Sequence, residues 1–321
     1  MKSVDASSVN RDTRPALAMI GLGRMGANIL RRLARAGFAV CGFDVSAEAR
    51  AGLAQEAGVT VASELAAAIS ALGTPRVVWI MLPAGHITEQ TIDSVSALLS
   101  SGDVIIDGGN TDYLDTKRRA AALARKGQHL VDVGVSGGVW GLEEGYGLMF
   151  GGAKQAVEPL LPLFKALAPA KDQGWVHCGP TGSGHFVKMV HNGIEYGLMQ
   201  AYAEGFALMR AKSEFSLDVA AIAEAWRNGT VVRSWLLDLA AGELKQDAVM
   251  DAVAPVVADS GEGRWTAREA IDLGVPLPVI SAALNVRLAS QGRGDYGARF
   301  LSRLRNAFGG HPVAAATRPK P

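Results

Sequence analysis

The sequence predicts an α/β fold, with a doubly wound sheet in its first half followed by a mainly α-helical C-terminal domain. Three observations carry this. Short apolar runs alternate with helix-spaced segments over residues 16–178, the pattern of a parallel sheet covered on both faces. A glycine-rich turn, Gly21-Leu22-Gly23-Arg24-Met25-Gly26, joins the first run to the first helical segment, and Asp44 ends the second run. After Gly179 the strand pattern stops and Ala/Leu-rich helical periodicity takes over.

Residues 16–20 form the first strand. Ile29, Leu30, Leu33 and Ala34 then recur at helical spacing, and Gly37 ends that helix. A second strand covers 39–43. Strand, glycine turn, helix, strand and acidic residue thus follow one another within about 30 residues, as a Rossmann-type dinucleotide-binding unit requires. The alternation continues with strands at 59–61, 76–82, 104–107 and 130–133, and helices at 65–72, 88–99 and 116–126. Two more strands, 148–150 and 175–178, flank a helix over 153–167. Gly182-Ser183-Gly184 opens a long helix reaching about residue 212. Breaks are expected at Gly229, Gly242, the turn 259–263 and Pro276. The expected division is a disordered leader over 1–15, a dinucleotide-binding domain over 16–179 and a helical domain over 180–321.

Composition narrows the partners. The 321 residues suffice for two domains, and 49% hydrophobic with 20% charged residues is a globular balance. A net charge of +1 carries none of the bias of a nucleic-acid or membrane-surface binder, so neither partner is expected. No apolar stretch approaches the ~20 residues of a membrane span, and the polar first 15 residues lack a signal-peptide apolar core. Cys41 and Cys178 have no CxxC spacing and no clustered histidines beside them. They read as small core fillers in a reducing cytoplasm, and no metal is expected.

Each glycine of the first turn has a physical task. Gly21 permits the tight turn, Gly23 lets backbone approach a pyrophosphate, and Gly26 lets helix and strand pack closely. The pyrophosphate would rest on the N–H groups of the helix N-terminus. Asp44 stands where a carboxylate accepts ribose hydroxyls, and no Arg occupies Val45 or Ser46. NAD is therefore expected over NADP; a solvated strand-end Asp is the plain alternative. Met81, Leu82 and Pro83 follow one strand, and Asp107-Gly108-Gly109-Asn110 another, at the carboxyl edge where such sheets bind ligands. Asn110 is a candidate bridge between nicotinamide and substrate, or a turn residue.

The densest chemistry lies in residues 182–196. On a helix, Lys188, Asn192 and Glu195 fall within an arc of about 60°, flanked by His191 and Tyr196. One face then offers a base, an amide, an acid and two polar rings, unless it is a solvated face. Apolar residues spread around the rest of the helix (Phe186, Val187, Met189, Val190, Ile194 and Leu198) and predict that it is buried. Asp132-Val133-Gly134-Val135-Ser136-Gly137-Gly138 follows a strand and offers a hydroxyl and backbone N–H groups that could hold a carboxylate, or forms a plain glycine-rich loop.

Together these segments resemble the β-hydroxyacid dehydrogenase superfamily: the GLGRMG start, the DVGVSGG segment and the GSGHFVKMVHN helix. Within it, HNGIEYG (191–197), DGGN, WRNGTVVRSWLL (226–237), DSGEGRWTA (259–267) and RNAFGGH (305–311) are similar to 6-phosphogluconate dehydrogenases. The resemblance covers about 300 residues and is closest to a short form often associated with NAD. It implies a cytoplasmic enzyme that oxidises and decarboxylates a phosphorylated sugar acid without a metal. Lys188 would be the general base and Glu195 the acid. Asn110, Ser136, Gly137, Gly138, His191 and Asn192 would hold the sugar acid. Tyr196, Arg287, Arg305 and His311 would hold the phosphate. The last segment would reach a neighbouring subunit, so a homodimer or homotetramer is expected. A lysine base needs desolvation or nearby positive charge to lose its proton near neutrality. One position departs from the long members: Ser260 stands where they place a phosphate-contacting Lys, with Arg264 nearby. Two other readings compete: a dehydrogenase for an unphosphorylated short hydroxy acid, and a non-catalytic NAD sensor.

Overall fold

The computed structural model describes residues 15–314, so the expected leader (apart from Pro15) and residues 315–321 lie outside it. The chain divides into two compact units between Met189 and Val190.

The first unit carries β1 (Leu17–Ile20), α1 (Arg24–Arg35), β2 (Val40–Phe43), α2 (Ala47–Ala51), β3 (Val59–Val61), α3 (Leu65–Ser70), β4 (Val77–Ile80) and α4 (His86–Leu98). It continues through β5 (Val104–Asp107), α5 (Tyr113–Ala124), β6 (His129–Ser136), α6 (Gly141–Glu144), β7 (Gly147–Gly151), α7 (Lys154–Val157), α8 (Leu161–Leu167) and β8 (Trp175–Gly179). The strand order is β3-β2-β1-β4-β5-β6-β7-β8. Its first six strands have the order of a dinucleotide-binding sheet, with the topological switch between β1 and β4.

β1, β4 and β5 are short and wholly buried because both faces of the sheet are covered there; β3 and β8, at the two edges, are only partly buried. Alternate residues serve opposite cores. Leu17, Met19, Val77, Trp79, Val104 and Ile106 pack with Ile29, Leu30 and Leu33 of α1 and Leu163, Phe164 and Leu167 of α8. Ala18, Ile20, Val78, Ile80 and Ile105 pack with Ile69 of α3, Ile92 and Val95 of α4 and Leu123 of α5. Truncating a side chain such as Leu33, fully buried, costs about 2–5 kcal/mol.

Four details depart from the sequence expectations. β6 runs on to Ser136, so Asp132 to Ser136 lie within the strand rather than after it. β7 pairs antiparallel with β6, Asp132 opposite Gly151 and Ser136 opposite Gly147, because only a short helical turn links the two strands. The helix expected over 153–167 is divided by a 3-10 turn, Glu158–Leu160; Pro159 and Pro162 lack the N–H that a continuous helix would need. Gly242 lies inside a helix and does not end it.

α9 (Ser183–Ala211) runs from the first unit into the second, which adds α10 (Val219–Trp226), α11 (Trp235–Gln246), α12 (Glu262–Asp272), α13 (Pro278–Ser290) and α14 (Asp295–Gly309). Asp218 and Ser234 cap α10 and α11 by accepting from Ala221 N and Leu237 N. Val219, Ala223, Leu237, Ala241 and Leu244 form the core of this unit with Tyr202, Phe206 and Trp226. Among the described residues no helix is long and apolar enough to cross a membrane, and no group of three or more His, Cys, Asp or Glu is placed to hold a metal ion.

Candidate active site

The glycine turn sits at the carboxyl ends of β1, β2 and β4. Gly21 adopts φ +97°, a left-handed conformation open to glycine, and its N–H donates to Phe43 O at 2.9 Å. A Cβ on Gly26 would lie 2.0 Å from Gly21 O, whereas one on Gly23 would meet nothing within 4 Å. The first glycine pair is therefore fixed by packing, and the middle one leaves open space over the start of α1. Gly23 caps α1 without a side-chain bond, and no acidic residue occupies its first turn. The helix N-terminus, led by Arg24 and Met25, is thus free to receive an anion.

Asp44 is held from two sides. Its Oδ2 accepts from Leu22 N at 2.7 Å and its Oδ1 from Ser46 N at 2.8 Å, so the carboxylate is anchored beside the glycine turn. Arg50, absent from the sequence reading, donates from Nη1 to Asp44 O at 2.6 Å and to Val45 O at 3.2 Å. It reaches back from α2, six residues beyond Asp44 and past Val45 and Ser46. The ladder continues past the strand ends, with Met81 N donating to Ile20 O at 2.8 Å and Gly108 N to Ile80 O at 2.9 Å. Leu82, exposed Pro83 and exposed Asn110 follow at this same edge. Open cradle, helix N-terminus and fixed acceptor fit the dinucleotide that the motif implies; Gly21 to Gly26, Asp44, Met81 to Pro83 and Asn110 are the residues that would hold it.

β6 supplies the second constellation. Ser136 ends the strand, and Gly137 (φ +130°) and Gly138 (φ +52°) turn the chain away from it. Gly134 faces α9 so closely that a Cβ there would lie 2.3 Å from Lys188 Cβ. Lys188 is 7% exposed and Asn192 8%, so both side chains are withdrawn from solvent. Burial does not extend around the whole helix: Ile194 and Leu198 are 52% and 45% exposed, which corrects the expectation of an apolar, enclosed α9. Asp132, His185 and Asp107 are buried at 2% exposure or less. None of the three is among the residues that the sequence assigns to the site, although Asp132, charged amid the apolar run 130–135, is a visible signal.

In the second unit His191 Nδ1 lies 3.1 Å from Asn192 Oδ1 and 3.9 Å from Glu195 Oε2, and Glu195 is half-buried. The Arg287 guanidinium stacks 3.5 Å from the centre of the buried Tyr196 ring, and its Nη1 donates to Ala258 O at 2.9 Å. Tyr196 Oη is 3.5 Å from Ser260 Oγ, which donates to Glu262 Oε2 at 2.6 Å. The Ser260 hydroxyl is thus turned toward a buried acid. Arg264 pairs instead with Asp259 at 2.8 Å. The unit brings Tyr196, Arg287 and Ser260 together. Arg305 on α14 and His311 beyond it are exposed, with Asn306 Nδ2 donating to His311 O at 2.9 Å.

Comparison with known proteins identifies the family. The family described as the NAD binding domain of 6-phosphogluconate dehydrogenase matches residues 16–179, and its C-terminal domain matches 184–307. The NAD(+)-dependent, decarboxylating 6-phosphogluconate dehydrogenase of Haloferax volcanii is 42% identical over 93% of this chain and 98% of its own. A Plasmodium falciparum 6-phosphogluconate dehydrogenase, solved in apo form, with its cofactor NADP+ and with its substrate 6-phosphogluconate, superposes with a TM-score of 0.79 at 27% identity, over 95% of this chain and 67% of that one. A 3-hydroxyisobutyrate dehydrogenase from Salmonella typhimurium shares the fold, with a TM-score of 0.71 at 24% identity over 87% and 95% of the two chains. By its two matched domains and its full-length similarity, this chain belongs to the 6-phosphogluconate dehydrogenase family.

Proposed function

We propose that this protein oxidises 6-phosphogluconate and releases CO2 and ribulose 5-phosphate, with NAD preferred as hydride acceptor. The observation that carries the reading is Lys188: a buried lysine on the helix that continues into Asn192 and Glu195, in the unit that holds the nucleotide cradle. When bound, the nicotinamide supplies the acceptor for the hydride from C3. Lys188 takes the proton of the C3 hydroxyl, and the 3-keto acid forms. The C1–C2 bond then breaks and its electron pair moves onto the C3 carbonyl, which protonated Lys188 polarises. Glu195 gives a proton to C1 of the resulting enediol, the former C2. An acid and a base on one helix face match these opposite proton transfers.

Ser136, Gly137, Gly138, Asn110, His191 and Asn192 are assigned to the sugar acid. Tyr196 and Arg287 are assigned to the phosphate, the guanidinium offering a planar pair of donors. Arg305 and His311 are assigned to the phosphate of a neighbouring subunit's site, in a homodimer or homotetramer. Asp44, anchored on both oxygens, would face the 2′-phosphate of NADP with like charge, which supports NAD. The proposed domain boundary stays near Gly179.

The test is an assay with NAD and 6-phosphogluconate in which NADH, CO2 and ribulose 5-phosphate are all measured. Lys188→Ala and Glu195→Ala should each lose about 10²–10⁴-fold in kcat with folding intact. Turnover of 3-hydroxyisobutyrate or gluconate in preference to the phosphorylated acid would sink the substrate assignment. Near-normal activity of either variant would sink the chemistry, and NADP used as well as NAD would sink the cofactor preference.

A further inference from the structure

Asp107, Thr116, Asp132 and His185 are 0–2% exposed, and none has a part in the chemistry above. They form one bonded chain within the first unit. The Asp132 carboxylate accepts from Gly182 N at 2.6 Å through Oδ1 and from His185 N at 2.8 Å through Oδ2. It thereby satisfies donors that the start of α9 would otherwise leave unpaired. The His185 ring points the other way, with Nε2 3.1 Å from Asp107 O and Nδ1 2.7 Å from Thr116 Oγ1. With the ring proton on Nε2, the ring donates to the carbonyl and accepts the Thr116 hydroxyl at Nδ1; the same hydroxyl oxygen lies 3.3 Å from Asp112 O, and the shorter contact to Nδ1 takes its proton. The Asp107 carboxylate in turn accepts from Gly109 N at 3.2 Å, Thr111 Oγ1 at 3.1 Å and Arg119 Nη1 at 3.4 Å.

The chain of bonds therefore begins in the loop that ends at Asn110 and finishes one helical turn before Lys188. The links made by Asp132 and His185 join elements distant in sequence, β5, α5, β6 and α9, while Gly109 and Thr111 bond Asp107 locally. Lys188 itself is pressed against Gly134 two residues beyond Asp132, so the strand that bonds the helix start also sets how close the lysine stands. A general base misplaced by about 1 Å loses on the order of 10²-fold in rate.

We infer that His185 is a positioning residue: with Asp132 and Thr116 it sets the rotation and depth of the first turn of α9, and so aims Lys188 and ties it to the Asn110 loop. This rests on the assignment of Lys188 as the base, and the test separates the two. Thr116→Val removes the hydroxyl that serves His185 Nδ1 and nothing of the cofactor cradle. It is expected to lower kcat with 6-phosphogluconate by roughly 10²-fold while leaving the calorimetric Kd for NAD within about twofold of wild type, and Thr116→Ser should restore the rate. His185→Ala should behave as Thr116→Val does, the latter serving if the former does not fold. Hydrogen exchange gives a readout independent of turnover. The His185 amide is expected to be slow in wild type and faster in Thr116→Val. Wild-type kcat in Thr116→Val, or loss of NAD affinity in parallel with kcat, overturns the positioning role, as does unchanged exchange at His185. A wild-type enzyme inert on 6-phosphogluconate would overturn the substrate reading alone, leaving the exchange measurement to decide the positioning role.

Discussion

At the scale of single residues, the glycine turn separates two kinds of constraint that a motif alone presents as one. Gly26 is required by packing, since its Cβ would overlap Gly21 O, while Gly23 is open to space. Gly26→Ala should therefore destabilise the fold by about 1–3 kcal/mol, the usual cost of overpacking, and weaken NAD as well. Gly23→Ala should leave urea unfolding nearly unchanged, with loss confined to NAD affinity because the new methyl group occupies the pyrophosphate's approach. Equal midpoints for both variants would show that α1 shifts freely. Residues of this kind were legible in the sequence because turn, helix and Asp44 lie within a short stretch. Lys188, Asn192 and Glu195 were legible for the same reason, as neighbours on one helix. His185 and Asp132 were not, because their partners lie 53 and 78 positions away and only the folded sheet brings them together.

At the scale of elements, the alternation of strands and helices was legible because both faces of the sheet are covered, so each strand is a plain apolar run. What escaped was decided by backbone chemistry or by distant pairing: the two prolines that divide the helix after β7, and the antiparallel partner of β6. α4 and α5 show a further device that sequence spacing does not reveal. Glu89 on α4 receives Arg118 Nη1 at 2.7 Å and Arg119 Nε at 2.6 Å, both from α5. The hydrogen bond from Arg118, opposed by partial burial and aided by Arg119, holds the Glu89 carboxyl down at about 2. A carboxylate whose folded value is depressed stabilises the fold above its unfolded value and loses that contribution as pH falls through the folded one. The clasp should therefore be intact at pH 5 and above, and weaken progressively toward pH 2. Arg118→Ala should raise the Glu89 titration midpoint, read by NMR of the side-chain carboxyl. An unchanged midpoint would assign the whole effect to Arg119. Because Arg118 is exposed, the share of total stability carried by the Arg118–Glu89 pair is small.

At the scale of the whole molecule, the second unit leaves much apolar surface outside its own core. Ile271 is 79% exposed, Tyr296 80%, Leu301 62% and Phe300 53%, and Tyr296 stacks on Phe300 along α14 with ring centres 6.4 Å apart. Surface of this kind favours burial against another chain, which supports the proposed homo-oligomer. The sharper question is whether α14 completes a neighbour's site through Arg305 and His311. Light scattering of the purified protein gives the subunit number, but a complementation experiment tests the shared site itself. Lys188→Ala and Arg305→Ala are each expected to be poorly active alone. If a site takes Lys188 from one chain and Arg305 from the next, a mixed dimer contains one site with both residues intact. Mixing the two variants with full subunit exchange makes half the dimers mixed, and one of their two sites works, so about a quarter of wild-type activity should return. If Arg305 serves its own chain's Lys188, no mixed dimer contains an intact site, and activity stays at the level of the separate variants however long they exchange.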